Sequence, residues 1–306
     1  MQQKLPSLKD VIAKHGLFTR KSLGQHFLLD NSITNKIVLY AGDLVNHNVI
    51  EVGPGPGGLT RSLLAAGAKS LTVVEKDDRC IAIMEELKEA VDGDDRMHIL
   101  HGDALKIDLQ EAVAAPRKIV ANLPYNVGTI MLLHWLDDIA VYGAGAYSSL
   151  TLMFQEEVAQ RIIAAPDTSE YGRLSVVSQF LCECRYDFKL PPEAFSPPPK
   201  VHSAVITLTP RPEPLYPVSK AMLEKVVAAA FGQRRKMLRS ALRQLGVPVE
   251  KLLERAGIDG TLRAEVLDVA TFCRLTQAFE EAATVEKDEV ALLARKRVLL
   301  RFLIEL

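Results

Sequence analysis

The amino-acid sequence predicts an α/β fold with a mostly parallel, doubly wound sheet, followed by a small all-α domain. Apolar runs typical of buried strands alternate with helical patterns between residues 48 and 209. Four prolines within residues 210–217 end this alternation, and helical spacing without strand signals follows. A chain of 306 residues is long enough to form both domains.

The spacing of the apolar residues predicts the individual elements. Strands are expected near 48–53, 70–75, 97–101, 117–122, 148–154, 176–188 and 203–209. Helices are expected near 31–41, 57–67, 77–91, 126–139 and 155–165, and beyond the prolines near 219–231, 234–245, 249–256, 263–267 and 269–282. Because the carboxyl ends of parallel strands lie at one edge of a sheet, the residues that follow the strands should meet there.

Changes in composition divide the chain into five expected segments. A basic N-terminal arm with the first helix occupies 1–47, and the sheet domain occupies 48–209. The proline-rich linker 210–217 precedes a helical domain at 218–282. For the last segment, 283–306, we favour a helix that folds back on the C-terminal domain over a docking helix, a membrane-surface helix or a dimer contact.

The composition is that of an ordinary soluble protein. The formal net charge is −1, so the bulk charge does not indicate a nucleic-acid partner. No apolar run is long enough to span a membrane, and the N-terminus lacks the apolar core of a signal segment. The four cysteines lack the paired spacing of a zinc site. We therefore expect a cytoplasmic protein with reduced thiols and no metal site.

A glycine-rich turn follows the first strand of the sheet domain and opens a helix. Gly53, Gly55, Gly57 and Gly58 let the backbone approach a ligand. Their spacing fits both the Gly-x-Gly-x-Gly pattern usual for S-adenosylmethionine and the Gly-x-Gly-x-x-Gly pattern usual for dinucleotides. The loop alone therefore does not identify the cofactor.

Carboxylates mark the ends of the next two strands. Glu75 ends the second strand, where a carboxylate binds ribose hydroxyls with either cofactor. Asp103 follows the third strand, where it would accept from an adenine amino group. A solvated carboxylate is the simplest interpretation of each acid alone. Three successive strands that end at Gly53, Glu75 and Asp103 favour the combined interpretation of a nucleoside-containing cofactor.

The fourth strand ends in the tetrapeptide Asn122-Leu123-Pro124-Tyr125, whose residue types suit an exocyclic amine on a nucleobase. The lone pair of such an amine is delocalised into the ring, so the amine is a poor nucleophile. Two acceptors, the Asn122 side-chain carbonyl and a main-chain carbonyl of Leu123 or Pro124, would draw the nitrogen toward tetrahedral geometry without a general base. Pro124 fixes φ, and Tyr125 offers a flat face for stacking.

Together these motifs resemble the ribosomal RNA small-subunit adenine N6,N6-dimethyltransferase family, of the KsgA type. The resemblance implies a Rossmann-like class I methyltransferase fold with a seven-stranded sheet whose last strand is antiparallel. It also implies transfer of methyl groups from S-adenosylmethionine to two adjacent adenosines near the 3′ end of 16S ribosomal RNA, each methylated twice at N6, and a role in small-subunit biogenesis. The matching stretches are residues 21–28, 53–58, 75, 102–104, 122–125, 171–175, 194–201 and 231–236.

The resemblance assigns further site residues. His26 and Leu28 lie beside the cofactor and contact it through the backbone. The stiff, proline-rich segment 191–201 holds Phe195, which we expect to stack on one face of the flipped adenine, with Tyr125 on the other. The expected cofactor-binding residues are His26, Leu28, Gly53, Gly55, Glu75, Asp103 and Asn122. The expected catalytic residues are Asn122, Leu123, Pro124, Tyr125 and Phe195.

A run of basic residues distinguishes the C-terminal domain. Between Phe231 and Arg243 there are five basic residues and no acid. Three of them recur every four residues on the helix expected at 234–245. Such a stripe is commonly a solvated face, but beside a domain suited to a nucleobase it favours phosphate binding. The expected RNA-binding residues are Lys21, Lys200, Arg234, Arg235, Lys236, Arg239 and Arg243.

Three other functions stay open at this point. A methyltransferase of the same fold that acts on large-subunit RNA, of the macrolide-resistance type, shares the Asn-x-Pro-Tyr logic. A non-catalytic assembly or transcription factor would have lost cofactor or amine-binding residues, which this chain keeps. A nicotinamide-dependent dehydrogenase explains the glycine loop but has no use for the tetrapeptide or the basic run. We expect the small-subunit enzyme, acting as a monomer on 16S rRNA within the small ribosomal subunit or its precursor, and not at a membrane.

Overall fold

The computed structural model describes residues 5–17, 26–91 and 95–283. These residues divide into two compact units. The first unit comprises the described residues up to Ile163 together with Leu181–Pro214, and the second comprises Ala164–Phe180 together with the described residues from Leu215 onward. Within the described ranges, no helix has the length and apolar character needed to cross a membrane.

The elements alternate along the first unit, and the second unit is helical. The strands are β1 (Phe27–Leu28), β2 (Asn48–Val52), β3 (Ser70–Glu75), β4 (Met97–His101), β5 (Arg117–Asn122), β6 (Ser149–Gln155), β7 (Cys182–Leu190), β8 (Phe195–Ser196) and β9 (Ser203–Pro210). The helices up to β6 are α1 (Leu8–Lys14), α2 (Asn31–Ala41), α3 (Gly58–Ala65), α4 (Asp78–Ala90), α5 (Leu109–Ala112) and α6 (Gly128–Tyr142). The later helices are α7 (Glu156–Ile163), α8 (Arg173–Leu181), α9 (Lys220–Gly232), α10 (Leu238–Ala241), α11 (Val249–Ala256) and α12 (269–283).

Seven strands form one sheet in the order β4-β3-β2-β5-β6-β9-β7. The first five strands in this order are parallel to one another, and β9 pairs antiparallel with both β6 and β7. All of β2 and all but the last residue of β5 are buried, as expected for central strands with helices on both faces. The mostly parallel, seven-stranded sheet predicted from the sequence is therefore confirmed.

The chain changes its direction of travel across the sheet between β2 and β5. From β2 it moves outward to β3 and β4, then returns to the other side of β2 and continues to β6. The pairing of β2 with β5 stops at Ile50 and Ile119, although the strands continue to Val52 and Asn122. A cleft therefore opens between the carboxyl ends of these two strands, where doubly wound sheets bind their ligands.

The strand expected at 176–188 is wrong in its first part, because residues 173–181 form helix α8 and the strand starts at Cys182. The run Ser175–Ser178 is buried as a helix, and a buried helix has the same continuous apolar pattern as a buried strand. The Ser175 hydroxyl accepts from the Gly172 amide at 3.1 Å, which satisfies a backbone donor at the helix start.

The sequence-based boundaries place residues 164–180 in the sheet domain, whereas in the structure they group with the helical unit. Aromatic packing within the helical unit accounts for this. The ring of Tyr171 lies 6.1 Å from the ring of Phe231, which in turn stacks on Phe272 at 5.6 Å. The segment therefore belongs to a core whose other members are far away in sequence.

The helix expected at 234–245 is also shorter than predicted, because α10 begins at Leu238. The backbone amides of Leu238 and Arg239 donate to the carbonyls of Leu262 and Gly260 at 2.8 and 3.0 Å. These bonds to a distant loop replace the intrahelical bonds that a longer helix would have made. They depend on tertiary contacts, so helical spacing alone does not predict them.

We expect Trp135→Ala to lower the free energy of unfolding by about 3–5 kcal/mol, because this fully buried side chain of α6 would leave a large cavity. Trp135→Phe should cost much less. It retains most of the apolar ring and removes an indole N–H that has no hydrogen-bond partner among the described residues. Chemical denaturation followed by circular dichroism measures both variants, and equal losses would contradict the packing argument.

Candidate active site

The cleft at the carboxyl edge of the sheet contains a cavity of about 570 Å³. Its walls come from the loops after β2, β3, β4 and β5 and from the N-terminal segment that includes β1. A cavity of this size accommodates a nucleoside-sized ligand. Almost all of the predicted cofactor-binding and catalytic residues line it, namely His26, Leu28, Gly53, Gly55, Glu75, Asp103, Asn122, Leu123, Pro124 and Tyr125.

The glycine loop after β2 needs glycine for two reasons. Gly53 and Gly55 have φ angles of 71° and 55°, in the left-handed region that disfavours other side chains. The loop is also crowded by β1. A Cβ atom on Gly55 would lie 2.9 Å from the Phe27 ring, and one on Gly58 would lie 2.6 Å from the Leu28 carbonyl oxygen. Glycine at these positions therefore leaves room for β1 as well as for a ligand. The spacing of the glycines in the sequence does not predict the contact with β1.

The turns that follow their strands orient the two predicted carboxylates. Glu75 accepts from the backbone amides of Lys76 and Asp77 at 2.7 and 2.9 Å through the same oxygen. Burial raises the pKa of Glu75, and these amides oppose the rise. Asp103 accepts from the Leu105 amide at 3.1 Å. Both carboxylates are therefore fixed at the wall of the cavity by their own loops.

A third carboxylate, that of Glu51, also lines the cavity. Glu51 lies within β2 and is 2% exposed, and no sequence motif pointed to it. Its Oε2 atom has no hydrogen-bond partner among the described residues. Burial raises the pKa of Glu51 to about 8, the Thr60 hydroxyl opposes the rise and the nearby Glu75 adds to it. The sequence signal for Glu51 is an acid among the apolar residues of a buried strand. A buried carboxylate without a partner is energetically costly, so an acid at such a position indicates a functional site.

These groups fit S-adenosylmethionine. Its adenosine needs acceptors for ribose hydroxyls and for an amino group, which Glu75 and Asp103 would supply. It is a cation, and Glu51 supplies a buried carboxylate whose charged form an adjacent cation stabilises. A dinucleotide would instead bring an anionic pyrophosphate to the glycine loop beside Glu51, and an anion there would disfavour the charged form of Glu51 rather than stabilise it.

Hydrogen bonds within the tetrapeptide decide which atoms are available to a substrate amine. The Asn122 side-chain amide donates to the carbonyl of His26 at 3.1 Å, so its oxygen points away from that carbonyl. The Pro124 carbonyl accepts from the amides of Val127 and Gly128 at 3.1 and 3.0 Å and is fully used. Among the described residues, no backbone amide donates to the Leu123 carbonyl. Of the two candidate carbonyls, the structure therefore favours that of Leu123.

The aromatic residues are arranged differently from the expectation. The ring that lies against Tyr125 is that of His26, at a centroid distance of 5.2 Å and an angle of 32°. Phe195 is 4% exposed and meets the His26 ring edge-on at 6.4 Å. The Tyr125 hydroxyl is hydrogen-bonded to the Ser203 hydroxyl. Phe195 is therefore buried beside His26 and is not among the described residues that line the cavity. Ser203, to which no sequence motif pointed, joins the site through its bond to Tyr125.

Most of the predicted RNA-binding residues are exposed, in two separate units. Lys200 is exposed in the first unit. Lys21 lies outside the described residues, as does the expected C-terminal helix beyond residue 283. The exposed members in the second unit include Arg235, Lys236, Arg239 and Arg243.

Arg234 differs from its basic neighbours because its guanidinium is engaged within the second unit. It contacts Glu265 at 2.9 Å and the Ser169 carbonyl at 2.8 Å. Arg235 lies in the turn before α10, so the expected stripe of three arginines on one helix is wrong. Arg239 lies on α10, and Arg243 lies on the 3₁₀ turn that continues it.

The comparisons with known proteins agree with this site. The family model described as "Ribosomal RNA adenine dimethylase" matches residues 17–281. A relative from Jannaschia sp. (strain CCS1), named "Ribosomal RNA small subunit methyltransferase A", is 52% identical over 92% of this chain and 96% of its own length. A relative of the same name from Allorhizobium ampelinum is 54% identical over 89% of this chain and 96% of its own.

Solved structures show the same fold. A dimethyladenosine transferase from Plasmodium falciparum has a TM-score of 0.72 at 24% identity and covers 84% of this chain and 98% of its own. The 23S rRNA methyltransferase ErmE has a TM-score of 0.63 at 26% identity and covers 83% of this chain and 99% of its own. With a family match over most of its length and relatives more than half identical to it, the chain belongs to the ribosomal RNA adenine dimethylase family.

Proposed function

We propose that the protein transfers methyl groups from S-adenosylmethionine to N6 of two adjacent adenosines in the 3′-terminal hairpin of 16S ribosomal RNA, two to each. Membership of the family and the names of relatives at 52% and 54% identity support this function. The structural observation that carries it is the pair of acceptors at the end of β5, the side-chain oxygen of Asn122 and the carbonyl oxygen of Leu123. We call this pair the amine clamp.

The amine clamp matches the chemistry of the target. An adenine amine has two hydrogens, and the clamp offers one fixed acceptor for each. Holding both hydrogens out of the plane of the ring frees the nitrogen lone pair, and preorganised acceptors achieve this without a general base. S-adenosylmethionine, when bound, would supply a methyl group on its sulfonium sulfur: the adenine nitrogen attacks that carbon in line, the C–S bond breaks to leave a thioether, and the methylated nitrogen gives up one proton to solvent. The remaining task of the protein is to align the two.

Tyr125 holds the base while the amine clamp holds the amine. Its hydroxyl is fixed by Ser203, and burial raises the pKa of Tyr125, so the ring remains neutral and keeps this bond. Stacking on an aromatic ring is worth roughly 1–3 kcal/mol per base, which compensates for much of the cost of unstacking the adenine. Stacking of Phe195 on the opposite face requires its buried ring to become accessible when the base enters.

The substrate is proposed to be the small ribosomal subunit or its precursor, with the protein acting as a monomer in the cytoplasm. We propose that segment 48–209 binds the cofactor and carries the chemistry, and that segment 218–282 binds RNA. Exposed cations on the second unit bind backbone phosphates, which positions the RNA without reading its sequence.

The function is tested by methyl incorporation from labelled S-adenosylmethionine into small ribosomal subunits from a strain that lacks the modification and, in a parallel reaction, into large-subunit RNA, each followed by digestion to nucleosides. The expected product is N6,N6-dimethyladenosine in the 3′-terminal hairpin. Incorporation confined to large-subunit RNA would support the alternative activity named for ErmE. No incorporation, despite cofactor binding measured by calorimetry, would support a binding-only assembly factor.

Asn122→Ala removes one acceptor of the amine clamp. The single-turnover methylation rate should fall by about 10²–10³-fold, the range seen when one preorganised donor or acceptor is lost from a transition-state site. Cofactor affinity measured by calorimetry should remain nearly unchanged and serves as the control for folding. A variant with a near-normal rate would remove the amine-clamp argument.

The buried carboxyl of Glu51 should make cofactor binding depend on pH. Since burial raises its pKa to about 8, the carboxyl of the free protein is mostly protonated at pH 7. A bound cation favours the charged form, so affinity for S-adenosylmethionine should rise with pH and level off above about 8.

The α-amino group of the cofactor titrates in the same range, at about 7.7–8.0, so the comparison must be made with Glu51→Gln. Both proteins share the titration of the ligand, and only the wild type has that of Glu51. Calorimetric titrations between pH 6 and 9 should therefore show a steeper rise for the wild type. Identical pH profiles would show that Glu51 does not interact with the cofactor's charge.

Arg239→Ala should weaken binding to the small subunit and reduce the slope of log K against log salt by about 0.7–0.9, as expected for one lost phosphate contact. Arg255→Ala, an exposed arginine elsewhere in the second unit, is the matched control and should leave the slope unchanged. Arg234→Ala should instead lower the melting temperature, because it breaks contacts with Glu265 and Ser169. Equal salt slopes for Arg239→Ala and the control would contradict the assignment.

A further inference from the structure

His26 makes three separate contacts at the wall of the cavity. Its backbone carbonyl accepts from the Asn122 side chain at 3.1 Å. Its Nδ1 atom lies 2.8 Å from the carbonyl oxygen of Pro197 and must carry the proton, because a carbonyl can only accept. Its ring lies against that of Tyr125. One residue therefore contacts the amine clamp, the stacking ring and the loop that carries Phe195.

The surroundings of His26 keep its ring in this place. The next two residues pair antiparallel with β8, Phe27 with Ser196 and Leu28 with Phe195. The Phe195 ring lies 6.4 Å from the imidazole at an angle of 78°, in a T-shaped contact. The imidazole is therefore tied on the Tyr125 side by ring packing and on the loop side by a hydrogen bond to Pro197.

The two methyl transfers to one adenosine make different demands on this arrangement. Before the first transfer, the amine presents two hydrogens to the two acceptors of the amine clamp. After it, the nitrogen has one hydrogen and one methyl group, so one of the two hydrogen bonds is lost. Alignment of the monomethylated amine therefore depends more strongly on the rings that hold the base.

We propose, building on the function above, that the His26 side chain is a positioning residue for the second methyl transfer. Its flat imidazole packs against the Tyr125 ring and holds that ring against the base. The hydrogen bond from the imidazole N–H to the Pro197 carbonyl keeps the imidazole in place. It does not contact the reacting atoms, and its contribution grows when the amine clamp has only one hydrogen to hold. Loss of the side chain should thus convert a dimethylating enzyme toward a monomethylating one.

The test is a time course of both products on small ribosomal subunits that lack the modification, with saturating S-adenosylmethionine and mass spectrometry of the nucleosides. His26→Ala should slow the second transfer about 5- to 10-fold more than the first, the loss expected for one hydrogen bond that holds a positioning group, so that N6-monomethyladenosine accumulates. His26→Asn keeps a flat group with an N–H donor and should restore the dimethylated product. The matched control is His202→Ala, which removes an exposed histidine from the loop between β8 and β9. It should keep the wild-type product ratio.

Ser203→Ala provides a second route to the same result, because it frees the Tyr125 ring from its hydroxyl bond. It should shift the product ratio in the same direction, and it replaces His26→Ala if that variant does not fold by circular dichroism. A wild-type protein that forms no dimethyladenosine would contradict the proposed function itself. Formation of dimethyladenosine by the wild type, with equal slowing of both transfers in His26→Ala or with no rescue by His26→Asn, would overturn this inference alone.

Discussion

The parting of β2 from β5 determines where the carboxyl edge of the sheet is open. Because their pairing stops at Ile50 and Ile119, the last residues of both strands are released from the ladder. The chain leaving one strand becomes the glycine loop at Gly53, and the end of the other strand becomes the amine clamp. The sheet itself would therefore bring the cofactor and the target base together.

The short strand β1 connects these two sides of the cleft. Its Phe27 ring and Leu28 carbonyl occupy the space that side chains on Gly55 and Gly58 would need. The carbonyl of the preceding residue, His26, orients the Asn122 amide. A side chain larger than hydrogen at Gly58 would push β1 outward and would thereby move the His26 carbonyl that orients Asn122. The glycine pattern thus reflects close packing of protein on protein as much as access for a ligand.

The features that the sequence predicted correctly depend on local patterns, and those it missed depend on distant partners. The central strands and the residues at their ends follow from apolar runs and turn chemistry, which neighbouring residues determine. Helix α8 was mistaken for a strand because burial on all sides hides the helical period. The same limit applies to Phe195, whose ring is buried in a T-shaped contact with His26, and to Arg234, whose guanidinium contacts Glu265. No local pattern in the sequence contains these pairings.

The buried carboxyl of Glu51 would also let the cavity distinguish the methylated cofactor from the spent one by charge. In the free protein, burial disfavours the charged form of Glu51, and a cation held beside it would favour that form. The sulfonium of S-adenosylmethionine would supply part of that positive charge, so the attraction would contribute to binding. Transfer of the methyl group leaves a neutral thioether, so the spent cofactor would lose the sulfonium part of this attraction and should leave the cavity more readily than the methylated cofactor.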